Sequence, residues 1–73
     1  MSKEMDFFIY LLEAYAQEKG RLASEVLREW ESLGVVQVIF DNYLMYHTEA
    51  LENAFADIDC LMETGKPLVS SER

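Results

Sequence analysis

The stretch Val35-Val36-Gln37-Val38-Ile39-Phe40, VVQVIF, decides the fold. Its β-branched residues suit a strand of about six residues. A lone strand among helices has no pairing partner except across a dimer, and no hairpin signal stands nearby. Carried on to residue 46, the same stretch places Val36, Ile39, Phe40, Tyr43 and Leu44 on one helical stripe, with Met45 and Tyr46 alongside. The helical reading of residues 35–46 is therefore preferred.

The flanking segments are helical by the same test. Residues 4–19 lack internal Gly and Pro, and Met5, Phe8, Ile9, Leu12, Tyr15 and Ala16 recur at helical spacing. Ser2 or Asp6 caps or charges its start, Lys19 complements its end, and Gly20 closes it. Apolar residues from Phe7 to Leu12 cover more than one face, so this helix is either central or shared with a second chain. Residues 23–33 align Val26, Leu27, Trp30 and Leu33, with Ser24 as the expected N-cap and Gly34 as the stop. Residues 48–62 repeat the pattern through Leu51, Ala54, Phe55, Ile58, Leu61 and Met62, with Thr48 as the expected N-cap and Gly65 then Pro67 at the end. The fold class is all-α: a compact bundle of about four short helices, completed by dimerisation if the core is too small. Residues 1–65 form one domain, and residues 66–73 read as a short flexible tail.

Size and charge narrow the function. A chain of 73 residues buries only about 60% of its unfolded surface, near the lower limit for folding alone. Cys60 is the one cysteine, so neither an internal disulfide nor a cysteine zinc cluster is available. The apolar fraction of 51%, rich in aromatics and Met, favours a homodimer or a protein partner. Fourteen acids against six scattered bases give a net charge of −8, which argues against nucleic acid and against a membrane surface. No signal peptide is recognised, and the FFIYLL run is far shorter than the roughly 20 residues of a membrane span. A lone free cysteine fits a reducing compartment, so the expected location is cytoplasmic.

The chain's single histidine, His47, is the natural centre for chemistry. Asp41, Glu49 or Glu52 could assist it as a general base, with Tyr43 or Tyr46 as a donor, but no nucleophile is evident. Leu51 stands where a second histidine would complete an i, i+4 metal pair, so metal binding is poorly supplied. No cofactor motif appears. The structural reading is preferred: His47 either caps the carbonyls of the preceding helix or bonds a carboxylate, Tyr43, Tyr46 and His47 cluster at the turn, and Trp30 anchors the core. Asp57 and Asp59 are expected to keep one face of the last helix wet.

The order FFIYLLEAYA, ASEVLREWESLGV and YHTEALENAFADID resembles the short bacterial proteins of the domain-of-unknown-function family 3791. The most specific parts are Tyr43 to His47 and the pair Asp57 and Ile58. The resemblance implies a role without assigned activity, beside a neighbouring ADP-ribosyltransferase-like toxin, as an accessory or antitoxin-like partner. It marks His47 and Asp57 as interaction or structural positions. Two expectations follow. A non-enzymatic protein-interaction domain requires exposed aromatic and Met residues. The alternative, a small enzyme or metal-binding protein centred on His47, requires a pocket where His47, Tyr43 and a carboxylate converge.

Overall fold

The VVQVIF stretch is helical. A computed structural model describes residues 2–65, and no strand occurs among them. The chain runs α1 (Lys3–Lys19), α2 (Ala23–Leu33), α3 (Val36–Asp41), α4 (Tyr43–Tyr46) and α5 (Leu51–Thr64). The expected third helix is thus two short ones, making five. Asn42 separates them with φ −88° and ψ 19°. Its N–H is shared between Val38 and Ile39 carbonyls at 3.1 and 3.2 Å, a tightened turn at a residue type that suits helix ends.

The helix ends show which polar groups the sequence assigned correctly. Ser2 Oγ accepts the Met5 N–H at 3.0 Å, the expected cap of α1. Ser24 does not cap α2, because the helix already begins at Ala23. Leu22 occupies the N-cap and has no side-chain acceptor, so only half of a capping box forms: Glu25 Oε1 takes the Leu22 N–H at 3.4 Å. Thr48 does not cap α5, which starts three residues later. Its hydroxyl instead donates backward to the carbonyls of Leu44 at 3.3 Å and Met45 at 2.9 Å, the latter also accepting the Thr48 N–H at 3.3 Å. The tail expected at residues 66–73, Pro67 included, lies outside the described residues.

One apolar core joins all five helices. Phe8, Leu11, Leu12, Tyr15 and Ala16 enter it from α1, Val26 and Trp30 from α2, Ile39 from α3, Tyr46 from α4, and Ala54, Ile58 and Leu61 from α5. Trp30 lies at its centre, with ring centroids 6.0 Å from Phe8 and 5.5 Å from Tyr15. Each large side chain buried this way contributes about 1.5–3 kcal/mol. Three assignments reverse, one of them Leu44, expected on the stripe of residues 35–46 and 75% exposed. Leu11 is buried while Ile9 is 38% exposed, since the stripe at 8, 11, 12, 15 and 16 turns position 9 outward. Leu33, 46% exposed at the last turn of α2, lies past the core. Among the described residues no helix is long and apolar enough to cross a membrane.

Candidate functional site

Two aspartates of α5, Asp57 and Asp59, tie it to neighbouring helices. Residues two apart on a helix point about 200° apart, so Asp57 and Asp59 face opposite neighbours. Asp57 is 3% exposed, and its Oδ2 accepts the Tyr46 hydroxyl of α4 at 2.5 Å. Asp59 accepts the Tyr15 hydroxyl of α1 at 2.6 Å through Oδ1 and pairs with Lys19 Nζ at 2.8 Å through Oδ2. The wet face expected at Asp57 and Asp59 is therefore corrected at Asp57, which is buried, while Asp59 keeps a 42% exposed side chain and still makes an anchoring contact. A phenol buried in an apolar stripe requires an acceptor, and each carboxylate supplies one.

These contacts act on the phenols. Burial is the main force raising the Tyr15 pKa above the ordinary 10.0, followed by the hydrogen bond and charge of Asp59. Burial likewise raises Tyr46, the Asp57 hydrogen bond adds to it, and the Asn42 hydrogen bond works the other way. Both groups are held neutral and cannot serve as bases near neutral pH.

His47 lies outside this framework. It is exposed at the end of α4, and its Nδ1 sits 2.7 Å from the Tyr43 carbonyl, the capping contact expected of it. Its ring stacks on Tyr43 with centroids 4.3 Å apart and planes 2° from parallel. Tyr46 does not join them, because Tyr43 and His47 share a face at i, i+4 spacing while Tyr46 turns into the core. Phe7 takes its place, with centroids 5.6 Å from Tyr43 and 6.2 Å from His47. Tyr10, 54% exposed, extends the line with its ring 6.1 Å from Phe7. Leu44, beside Tyr43 on α4, is 75% exposed. The result is an aromatic ridge across α1 and α4.

Of the residues singled out by sequence, Tyr43 and His47 come together at the surface. Tyr46 and Asp57 pair in the interior, and Trp30 is fully buried with no hydrogen-bond partner on Nε1 among the described residues. Sequence reasoning allowed Phe7 and Tyr10 a contact with a second chain, but it set Leu44 on the buried stripe and did not join Phe7 to Tyr43 and His47. The contact of Phe7 with Tyr43 and His47 becomes visible only when α4 packs beside α1.

A groove of about 620 Å³ runs between α1 and α5, lined by Tyr10, Ala14, Leu51 and Phe55 with Glu13, Gln17 and Glu18 beside them. His47 does not line it, and the side-chain hydrogen bond of His47 goes to backbone rather than to a carboxylate. Among the described residues, no three His, Cys, Asp or Glu side chains converge as metal ligands.

The model of a family described as a protein of unknown function, DUF3791, matches residues 6–65. The chain belongs to this family. The DUF3791 match takes in both tyrosine–aspartate pairs, the ridge and the groove, so these features lie within the family's domain. It also covers Tyr43 to His47 and the Asp57–Ile58 pair, which carried the resemblance. No curated protein and no solved structure matches this DUF3791 chain.

Proposed function

We propose that this DUF3791 protein is a non-enzymatic, cytoplasmic protein-interaction module that works as a homodimer or with a dedicated protein partner. The observation that carries this reading is the aromatic ridge, Phe7, Tyr10, Tyr43 and His47, with Leu44 exposed beside it. Scattered apolar residues are ordinary on a protein surface, whereas contiguous ones with aromatic rings mark contact surfaces. A small chain gains from covering them, because its own core is limited. The accessory or antitoxin-like role beside a toxin-like neighbour rests on the family resemblance and fits within this reading. The alternative centred on His47 has less support, since its ring is committed to Tyr43 by both stacking and hydrogen bonding.

The test is solution mass by light scattering over a dilution series, comparing wild type with Leu44→Ser/His47→Ser, two exposed positions outside the α1–α5 groove. A homodimer should fall to the single-chain mass of 8.5 kDa in the double variant, with helical circular dichroism unchanged. A wild-type monomer would assign the ridge to another protein, whose capture the double variant should then abolish. A variant that changes neither self-association nor capture would overturn the reading.

A further inference from the structure

The groove between α1 and α5 has the wrong charge for a second copy of this chain. Its apolar lining is Tyr10, Ala14, Leu51 and Phe55. Glu13 and Glu18 stand along one side, and an adjoining depression that shares Leu51 and Phe55 adds Glu52. All three glutamates are exposed. Lys19, which lines the adjoining depression, is already paired with Asp59 at 2.8 Å. With a net charge of −8 on each copy, self-docking here would bring like charges together.

The groove is open because α1 and α5 are bridged by long side chains, Tyr15 to Asp59 and Phe55, and Lys19 to Asp59. From Tyr10 to Lys19 it follows α1 for about 14 Å, enough for anchors at i, i+4 and i+7 of a partner helix. No strand occurs among the described residues, so there is no sheet edge to receive an extended peptide.

We infer that the α1–α5 groove binds an amphipathic helix that carries lysine or arginine beside an apolar stripe. This deepens the interaction reading and rests on it. The partner's apolar anchors meet Ala14, Leu51 and Phe55, while its bases face Glu13, Glu18 and Glu52. The aromatic ridge meets the groove at Tyr10, which belongs to both, while Phe7, Tyr43 and His47 of the ridge lie outside the groove lining.

The probe is a synthetic helical peptide of about four turns, with Leu at i, i+3, i+4 and i+7 and Lys at the flanking positions. Its binding to the full chain is followed by amide NMR shifts and by fluorescence anisotropy at low and moderate salt. Expected are shifts centred on Ala14, Gln17, Leu51 and Phe55, no binding of the same peptide with Glu for Lys, and weakening by salt. Reversing Glu13, Glu18 and Glu52 to Lys should weaken binding roughly tenfold. Reversing Glu4, Glu31 and Glu63 changes net charge equally and should have a much smaller effect. Equal weakening by both triple variants, shifts elsewhere, or no binding would overturn the assignment. If the peptide fails while the ridge variant still disrupts a complex, the groove assignment alone falls. If both fail, so does the interaction reading.

Discussion

Asp57 places a carboxylate inside a helical core, where its short bond from Tyr46 offsets part of the cost of burial. Tyr46→Phe keeps the ring and removes that donor, so it should cost about 1–3 kcal/mol in urea unfolding. Asp57→Asn retains an acceptor and should cost less, and the double variant should cost less than the sum. Tyr15→Phe should be milder, because Asp59 is only partly buried and keeps Lys19. Equal losses at Tyr46 and Tyr15 would contradict this ranking. The position of Asp57 was legible in part. Residues 54, 57, 58 and 61 form an i, i+3, i+4, i+7 set, which puts Asp57 on the core stripe of α5. Residue type argued the other way, and only the tyrosine across the interface resolves the conflict.

At the scale of elements, Gly34 makes the turn from α2 into α3 with φ +73°. Nothing lies within 4 Å of a Cβ added there, so a substitution is opposed by backbone conformation alone. Gly34→Ala should lower stability by about 1–2 kcal/mol, and Gly34→Asn by less, as read from thermal unfolding. A loss well beyond that range would point to a packing role the geometry does not show. Long elements were readable: α1, α2 and α5 each repeat their apolar residues over several turns. The division of residues 35–46 was not. Helices of six and four residues are too short for a period to reveal a break, and the hydroxyl of Thr48 could serve either neighbouring helix.

For the whole molecule, the two buried phenols set an alkaline limit. Each has a folded pKa above its ordinary value of 10.0, so the folded state holds its proton where the unfolded chain has lost it. The stabilising contribution is complete below pH about 10 and declines as pH rises from there, by about 1.4 kcal/mol per pH unit for each phenol. Denaturant midpoints should be flat with respect to these groups from pH 8 to 9 and fall from about 10 upward. Tyr46→Phe should roughly halve the slope, and a slope unchanged in that variant would exclude Tyr46 as a source.

By itself the sequence determined the all-α class, the three long helices, their glycine stops and most of the core, because helical periodicity and turn chemistry act between near neighbours in the chain. It also carried the family, through residues spread along nearly all of its length. Tertiary structure alone decided which side chains meet across helices: Tyr46 with Asp57, Tyr15 with Asp59, and Phe7 with Tyr43 and His47. The partners in these contacts are 11 to 44 residues apart for the hydrogen bonds, beyond the reach of any local repeat. The ridge and the groove depend on the same packing, since each is shared between α1 and a helix that arrives later in the chain.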